Sequence, residues 1–401
     1  MAVARAPVPQ TDALPNHWHF FGLRESPYFQ TTLGDAPARY PLSLFVGREA
    51  EVEQLLAGIG GSSSSRQAVG GAPGVGKTTL AKQVKATAAE RGYWATTELI
   101  PFHTGDTVEW LVGRILDGIY EALLTARPAT AEHPAMQRAQ QHVRAFRDGP
   151  RVIRELLDIA LQGGARGVVL HLDNLENLAE RDLARAADML RSLRDPVLLQ
   201  DGLHVILVGT ADAIGSTITT HTQLRSVFSL HALGPLPVAD VQALLAARYS
   251  HIALREGEPV SPPVTQSTVA KVYSLFRGDL RGLLKALEEG VSLLVGVVGK
   301  HPGAPIPLSS LRRALQTRYA DILVQVLSRP RQRQLQQWAE SLGAIATPTQ
   351  DQLKSLWRLS QPAVSQALAD LGRAGYVLPL PRKGALPGTY ALTGASRLIF
   401  D

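Results

Sequence analysis

The sequence of 401 residues predicts an α/β fold with a doubly wound parallel sheet, followed by an all-helical lid and a C-terminal domain of helices and a β-hairpin. Two patterns carry this prediction. Apolar runs such as "GVVLHLD" and "GLHVILVGTA" alternate with amphipathic helical segments, which is typical of parallel sheets covered on both faces. After "LGPLP" the apolar periodicity is purely helical through Val298.

Residues 1–40 are rich in proline and aromatic side chains ("HWHFFGLRESPYF") and lack sustained periodicity. We expect an irregular leader that packs on the next domain. The clustered aromatic side chains favour packing within the chain over docking to a neighbouring subunit.

Residues 41–235 contain the elements of the expected sheet. A helix begins near Arg48, "QAVGG" is a short strand, "KTTLAKQVKATAAERG" a helix and "YWATTELIPF" a second strand. The long amphipathic helix "TVEWLVGRILDGIYEALL" follows, and then the helix "RVIRELLDIALQGG" and the strand "GVVLHLD". The helix "ERDLARAADMLRSLRD" separates this strand from "GLHVILVGTA". This alternation predicts the doubly wound sheet.

Residues 236–300 form the expected lid, and residues 301–328 form a linker with the helix "LSSLRRALQTRYADILVQVL". Residues 329–401 contain three short helices, "QRQLQQWAESLG", "TQDQLKSLWRLS" and "QPAVSQALADLGRAGYV". In the third helix, apolar residues recur at i, i+4 and i+7 from Val364 and should face a core. Two short strands surround a Pro/Gly loop in "YVLPLPRKGALPGTYALT". Three helices and a hairpin predict a winged helix-turn-helix domain.

Composition excludes several classes of protein. Hydrophobic residues make up 45% and charged residues 19% of the chain, as in globular proteins, and no apolar run is long enough to span a bilayer. The segment "MAVARAPVPQTDALP" lacks the apolar core of a secretion signal. The absence of cysteine excludes disulfides and thiolate metal sites. We therefore expect a cytoplasmic protein without a membrane partner.

Positive charge is concentrated in the C-terminal domain. The chain has a net charge of +6, and residues 329–401 carry nine basic against four acidic side chains, a net +5. A near-neutral body with a basic end domain favours a polyanionic partner. Charge alone equally allows a small arginine-rich domain that is merely soluble.

The segment "GAPGVGKTT" matches the phosphate-binding motif G-x-x-x-x-G-K-[ST] and lies between a predicted strand and a predicted helix, as that motif requires. Its glycines allow backbone N–H groups to approach phosphate oxygens, and the helix N-terminus adds to the attraction. We expect Lys77 to reach the β- and γ-phosphates of ATP and Thr78 to bind Mg²⁺. The predicted nucleotide contacts are Gly71, Ala72, Pro73, Gly74, Val75, Gly76, Lys77, Thr78 and Thr79. A chance glycine-rich turn is the alternative.

A carboxylate follows the strand "GVVLHLD" at a position suited to Mg²⁺. Asp173 ends this strand and is the predicted metal ligand together with Thr78. The next residue is Asn174, whose amide can orient a water but cannot accept its proton at neutral pH. We therefore predict slow ATP hydrolysis with Glu176 as the base, although Glu176 is alternatively a solvated residue in the first turn of the next helix.

Three further residues are candidates for contact with the γ-phosphate. Thr210 lies at the tip of the strand in "LVGT", where its hydroxyl can hold the attacking water or the γ-phosphate. Arg225 in "QLRSVF" follows by one short helix, where an arginine that bridges two subunits would lie. Arg281 in "GDLRGLLKAL" begins a lid helix and can fold back onto the γ-phosphate. Surface arginines are common, so a structural role is the alternative for both arginines.

The segments "FVGREAEVEQL", "GAPGVGKTT", "LHLDN", "LVGT", "LRSVF" and "GDLRGLLKAL" together resemble the AAA+ ATPases, and within them the origin-initiator clade of origin recognition and cell division control proteins. The resemblance spans residues 40–295 and is followed by a winged-helix domain. The family pattern has glutamate where Asn174 stands. The site residues that the resemblance implies are Phe45, Val46 and Arg48 near adenine, Thr210 as sensor 1, Arg225 as arginine finger and Arg281 as sensor 2.

Two functions are compatible with these features. The first is an initiator- or loader-like ATPase that is switched by ATP, binds duplex DNA through the winged helix, and forms a homo-oligomer or recruits a partner protein. The second is a signalling or regulatory NTPase of the STAND type, whose winged helix makes protein contacts. Salt-dependent DNA binding separates them. The predicted DNA contacts are Gln361, Ser365, Gln366 and Arg373 in the major groove, and Arg382 and Lys383 at phosphates or the minor groove.

Overall fold

The computed structural model of the protein describes residues 16–31, 33–34, 39–96, 98–127, 133–134, 136–137, 148–255, 257, 260–380 and 387–400, without the side chains of Glu176 and Glu180. None of the helices in these ranges has both the length and the apolar character needed to cross a bilayer. The described chain has the predicted α/β fold, with a parallel sheet first, a helical lid next and a helix–hairpin domain last.

A six-stranded parallel sheet forms the centre of the first half of the described chain. Its strands are β1 (Ser65–Gly71), β2 (Trp94–Ala95), β3 (Ile100–Pro101), β4 (Val168–Asp173), β5 (Leu203–Gly209) and β6 (Ser229–Leu233). The helices around it are α1 (Glu49–Gly60), α2 (Lys77–Glu90), α3 (Val108–Ala126), α4 (Gly149–Gln162), α5 (Glu180–Leu193), α6 (Ala211–Thr219) and α7 (Thr222–Arg225). Shorter helical turns are His17–Phe21, Leu42–Leu44, Leu175–Asn177 and Arg194–Leu198.

The strand order is β2–β4–β5–β1–β6, and β3 also pairs with β4. In this order β1 lies between β5 and β6, with Ala68 opposite Leu207 on one side and Leu230 on the other. The carboxyl ends of β1, β4 and β5 therefore lie next to each other at one edge of the sheet. Ligands of doubly wound sheets bind at this edge.

Two parts of the sheet differ from the sequence prediction. The patterns do not predict β6, because this edge strand exposes three of its five residues and lacks a continuous apolar run. The segment "YWATTELIPF" forms two short strands instead of one. The Nζ of Lys85 donates to the carbonyl oxygens of Thr96 (2.5 Å) and Glu98 (3.1 Å), so these carbonyl groups, which lie between β2 and β3, are bound by a side chain.

The lid and the linker helix share one hydrophobic core. The helices are α8 (Val238–His251), α9 (Gln266–Leu275), α10 (Leu280–Leu293), α11 (Val295–Val298) and α12 (Leu308–Val326). Leu311 and Leu315 of α12 are fully buried in the core of the lid, against the face of α10 that contains Gly290. Leu323 and Leu327, at the other end of the linker helix, are buried with the C-terminal domain instead. The linker helix therefore joins the two cores.

The leader packs mainly on the lid, and it also contacts residues 41–46 at the start of the next domain, where the sequence predicts its packing. Trp18, Phe21 and Tyr28 are buried in the same cluster as the apolar faces of α8 and α10. The N–H of Arg24 donates to the carbonyl oxygen of Ile252 at 2.8 Å. The physical reason is that the apolar faces of the lid helices need a cover, which the aromatic side chains of the leader supply.

The C-terminal domain has the predicted order of helices and strands. Its elements are α13 (Arg329–Leu342), α14 (Gln350–Trp357), α15 (Gln361–Arg373), β7 (Val377–Pro379), β8 (Tyr390–Leu392) and α16 (Gly394–Phe400), with β7 and β8 antiparallel. Thr349 and Gln352 form a reciprocal capping box at the start of α14. Val364, Leu368 and Leu371 of α15 are buried. The sequence patterns do not predict α16, which is only seven residues long.

His204 places a titratable ring in the sheet, and its protonation should set part of the acid stability. The ring is fully buried and shares a hydrogen bond of 2.9 Å between Nδ1 and the Ser65 hydroxyl. Burial lowers the pKa of His204 from 6.5 to about 4. The unfolded chain therefore binds a proton as the pH falls below 6.5, whereas the folded chain binds it only near pH 4, so stability falls through this window.

On acidification from pH 6.5 to 4, we expect the free energy of unfolding to fall less in His204→Gln than in the unaltered protein. The difference between the two proteins should be up to about 3 kcal/mol. Denaturant unfolding at several pH values measures this difference, and the two proteins should show parallel stability above pH 7. An equal loss of stability on acidification in both proteins would contradict the expectation.

Candidate functional site

The phosphate loop joins the end of β1 to the start of α2. Gly74 and Gly76 have φ angles of 78° and 94°, which glycine adopts without strain. The Nζ of Lys77 donates to the carbonyl oxygens of Gly71 (3.2 Å) and Ala72 (3.1 Å), so the ammonium lies inside the loop. A glycine loop that holds an ammonium at a helix N-terminus is suited to bind phosphate.

The structure brings the two predicted metal ligands together. The hydroxyl of Thr78 donates to Oδ2 of Asp173 at 2.8 Å, and the N–H of Asn174 donates to Oδ1 at 2.7 Å. Burial raises the pKa of Asp173, but contacts with His171, the N–H of Asn174 and the Thr78 hydroxyl outweigh it and hold the pKa below its usual value. The carboxylate is therefore ionised at neutral pH. A hydroxyl and a carboxylate at this spacing fit a hard divalent cation such as Mg²⁺.

A buried histidine lies beside this carboxylate. His171 and Asp173 are two residues apart on β4 and thus lie on the same face of the strand. The Nε2 of His171 is 3.2 Å from Oδ2 of Asp173, and the histidine side chain is fully buried. Burial lowers the pKa of His171 by more than the neighbouring carboxylate raises it, which keeps the ring neutral at pH 7. His171 belongs to none of the sequence motifs, although its two-residue spacing from Asp173 is a signal in the sequence.

Two asparagines and a threonine line the cavity beside the predicted metal ligands. Asn174 has a φ angle of 70°, a left-handed conformation that asparagine tolerates better than glutamate. Asn177, which the sequence analysis missed, follows after one short helical turn and lines the same cavity. Thr210 also lines it, and its hydroxyl oxygen accepts the N–H of Ala213 at 3.2 Å to cap α6. The backbone of Glu176 lies in the same turn as Asn177, and its side chain is outside the described residues.

A cavity of about 530 Å³ connects the phosphate loop, the lid and the leader. It brings together most of the predicted nucleotide contacts with residues from both flanking segments. Its lining residues are Phe29, Gln30, Thr31, Leu33, Phe45, Val46, Arg48, Pro73, Gly74, Val75, Gly76, Lys77, Thr78, Thr79, Asn174, Asn177, Thr210, Leu236, Leu244, Arg248, Leu280, Arg281 and Leu284.

The first turn of α10 closes the cavity over the phosphate loop. Asp279 caps this helix by accepting the N–H of Gly282 at 3.0 Å, and burial raises the pKa of Asp279. A Cβ on Gly74 would lie 2.0 Å from Oδ1 of Asp279 and 3.3 Å from Cβ of Arg281. The lid thus rests directly on the loop, and Arg281 lines the cavity where the sequence analysis expects it.

At the opposite end of the cavity, Phe45 and Val46 form part of the wall where the sequence analysis expects adenine. Arg48 also lines this end, but its guanidinium has structural partners. It pairs with Glu51 (2.8 Å) and donates to the carbonyl oxygens of Val75 and Gly234. Arg48 thereby ties the phosphate loop to the segment that enters the lid.

The leader supplies a second part of this wall, which the sequence analysis did not assign to the site. The buried Arg248 of α8 donates to the carbonyl oxygens of Pro27 (3.3 Å) and Phe29 (2.8 Å). Its guanidinium lies 3.9 Å from the centre of the Phe29 ring, which stacks on Tyr40 at 3.6 Å. Desolvation by burial lowers the pKa of Arg248 to about 10, so it remains charged at pH 7. Contacts between leader and lid have no sequence motif, so only the fold reveals them.

Arg225 is not brought into this cavity. It ends the short helix α7 and is exposed on the surface, as an arginine that reaches a neighbouring subunit would be. The structure therefore separates the two candidate arginines, with Arg281 inside the cavity of its own chain and Arg225 outside it.

The face of α15 that is predicted to bind DNA is exposed, but the acidic residue Asp370 lies on it. Gln361, Ser365, Gln366 and Arg373 are all exposed. Asp370 accepts hydrogen bonds from Gln366 (2.8 Å), Arg373 (2.5 Å) and Arg331 (2.8 Å), so part of the basic charge is neutralised within the domain. Arg382 and Lys383 lie outside the described residues.

Comparison with known proteins identifies the domain around the cavity. Residues 44–208 match the family model of the AAA ATPase domain. The ORC2 protein of Aeropyrum pernix in ADPNP–ADP complexes is 16% identical, with a TM-score of 0.51, over 94% of this chain and 97% of that chain. Drosophila ORC bound to DNA is 15% identical, with a TM-score of 0.46, over 100% of this chain and 94% of that chain. No curated protein matches the sequence. The likeness to the Aeropyrum protein shows a shared fold over nearly the whole chain.

The positions of the two arginines predict different effects of their removal. We expect Arg281→Ala to weaken ATP binding about 30-fold, as for the loss of a charge-assisted hydrogen bond of about 2 kcal/mol, and to change ADP binding less than threefold. We expect Arg225→Ala, its matched control, to leave both affinities unchanged in dilute protein. Titration with fluorescent ATP and ADP analogues measures these affinities. Equal losses for ATP and ADP in Arg281→Ala would contradict a role at the γ-phosphate.

Proposed function

We propose that this chain, an AAA ATPase by its domain match and its fold, binds duplex DNA through its C-terminal domain under the control of ATP. In this proposal the phosphate loop and the lid hold the nucleotide, and the state of the nucleotide sets the position of the C-terminal domain. The protein acts as an initiator-like switch and oligomerises with ATP at subunit interfaces.

The observation that carries the proposal is a turn of the lid, residues 276–281, that contacts both the phosphate loop and the C-terminal domain. At one end, Asp279 and Arg281 lie against Gly74 of the phosphate loop. At the other end, three atoms of the Phe276 ring lie within 2.6 Å of the point where a Cβ on Gly394 would be. Gly394 begins α16 of the C-terminal domain. A movement of the turn on nucleotide binding would therefore be transmitted to that domain.

We infer that this turn moves as a rigid unit. Arg277 and Gly278 have φ angles of 54° and 81°, so the turn contains two consecutive residues in the left-handed region. A Cβ on Gly278 would lie 2.3 Å from Cβ of Pro235, which packs the turn tightly against the segment that enters the lid. Tight packing transmits a displacement because a packed contact has few alternative arrangements.

Mg²⁺, when bound, would neutralise charge on the β- and γ-phosphates. In this proposal Thr78 and Asp173 hold the cation, Lys77 contacts the phosphates, and Arg281 contacts the γ-phosphate from the lid. Thr210 orients the attacking water. The closeness of these side chains around one cavity supports the assignment.

Hydrolysis in this proposal is slow, so the ATP-bound state persists. The amide of Asn174 cannot act as a general base, and its left-handed backbone disfavours the glutamate that the family pattern has there. Glu176 is assigned as the base because its backbone lies in the turn between Asn174 and Asn177, which both line the cavity. Arg225 from a neighbouring subunit would complete the site, which makes turnover dependent on protein concentration.

Two observations favour the alternative, a signalling or regulatory NTPase. The helix α16 packs on the lid with Leu398 in its core, and Asp370 accepts hydrogen bonds from Arg331 and Arg373, which offsets part of the positive charge of the domain. In that function the C-terminal domain holds the lid closed and has no DNA partner. The basic charge of residues 329–401 favours DNA, since a purely intramolecular role does not require it.

A first experiment tests the catalytic assignment. We expect Glu176→Gln to lower ATP turnover about a hundredfold, as for the loss of a general base, with unchanged affinity for ATP. Glu90→Gln, an exposed glutamate at the end of α2, is the matched control and should turn over ATP at the normal rate. A turnover of Glu176→Gln within threefold of the unaltered protein would refute the role of Glu176.

A second experiment tests the DNA function. We expect Arg382→Ala with Lys383→Ala to weaken duplex binding about tenfold and to lower the slope of log affinity against log salt by about 2. The control, Arg181→Ala with Lys271→Ala, removes the same charge from exposed positions outside the C-terminal domain and should bind DNA normally. Fluorescence anisotropy with and without a non-hydrolysable ATP analogue measures both. Negligible duplex binding in every nucleotide state would favour the alternative function.

A further inference from the structure

His171, the buried histidine on β4, has no role in the proposed function. Its surroundings are unusual for a histidine. Its neighbours along the strand, Leu170 and Leu172, are fully buried apolar residues, and His171 is equally buried. Because side chains alternate along a strand, His171 points to the same face as Asp173. Its Nε2 lies 3.2 Å from Oδ2 of Asp173, the same oxygen that accepts the hydroxyl of Thr78.

Stability does not explain a histidine at this position. Among the described residues, neither ring nitrogen of His171 has a partner in good hydrogen-bond geometry. A buried polar atom without a partner destabilises the folded state, so an apolar side chain would serve the core better. The close approach to Asp173 is the one feature that an apolar side chain could not supply.

We propose that His171 is a positioning residue for the Asp173 carboxylate. In the tautomer with its proton on Nε2, the ring presents an N–H group 3.2 Å from Oδ2, and the electrostatic attraction between the two restricts rotation of the carboxylate and keeps Oδ2 directed at Thr78. Removing a group that orients a metal-binding carboxylate typically weakens cation binding by about 10- to 100-fold. The inference rests on the proposed function, because it concerns the same magnesium and nucleotide site.

The adjacent strand offers a matched control. His204 on β5 is also a fully buried histidine, but its Nδ1 contacts the hydroxyl of Ser65 at 2.9 Å. Ser65 is the first residue of β1 and His204 the second of β5, so this pair lies at the end of the sheet opposite the phosphate loop. Replacing His204 removes a ring of the same size and burial as that of His171, but it leaves the contacts of Asp173 in place.

The test compares nucleotide affinity with and without Mg²⁺ in the full-length chain. The probe is a fluorescent ADP analogue, titrated in millimolar Mg²⁺ and again in excess EDTA, and thermal unfolding is recorded for each variant. We expect His171→Leu to reduce the gain in affinity from Mg²⁺ by about tenfold or more, with unchanged affinity in EDTA and an unchanged or higher Tm. His171→Gln, whose amide can donate from a similar position, should keep the gain within about threefold. His204→Leu should keep it fully.

Each other outcome overturns the inference. A normal Mg²⁺ gain in His171→Leu would show that the carboxylate is positioned without the ring. Equal loss of affinity in Mg²⁺ and EDTA, together with a lower Tm, would assign His171 a purely structural role. If the unaltered protein bound the ADP analogue in neither condition, the proposed function would fail and this inference with it, whereas the first two outcomes leave the proposed function intact.

Discussion

The contact between the lid and Gly74 is the constraint on which the rest of the structure depends. Any side chain at position 74 would collide with Asp279, so the first turn of α10 can rest on the phosphate loop only because glycine is there. This contact places Arg281 in the cavity and aligns the turn that reaches Gly394. Together with the contacts of Arg48 to Val75 and Gly234, it joins the phosphate loop to the lid.

The leader holds the lid in this position from the other side. The charged Arg248 is buried between backbone carbonyl groups and the face of Phe29, an arrangement in which a cation–π contact contributes about 2 kcal/mol. Its carbonyl partners belong to the leader, so the guanidinium fastens the leader to α8. The cavity wall beside Phe45 therefore comes in part from a segment more than 200 residues away in sequence from the helix that anchors it.

The carboxyl end of β4 shows how a strand can bring several groups to one point. Asp173 ends β4, and its carboxylate meets Thr78 of α2, the N–H of Asn174 and the ring of His171. These contacts keep the pKa of Asp173 low in spite of burial, so the charge needed to attract a cation is present at neutral pH. The left-handed turn at Asn174 then directs the chain along the cavity wall.

The sequence alone determined the parallel sheet, the phosphate loop, Asp173 and the buried face of α15, because each follows from local spacing or from a motif whose chemistry fixes its residues. It did not predict β6, whose exposed edge lacks an apolar pattern, or α16, which is too short for a period to be seen. Only the tertiary structure decided that the leader covers the lid, that Arg248 and His171 border the site, and that Arg225 faces away from it. These facts depend on contacts between residues distant in sequence, and the packing of whole elements sets such contacts while local pattern does not.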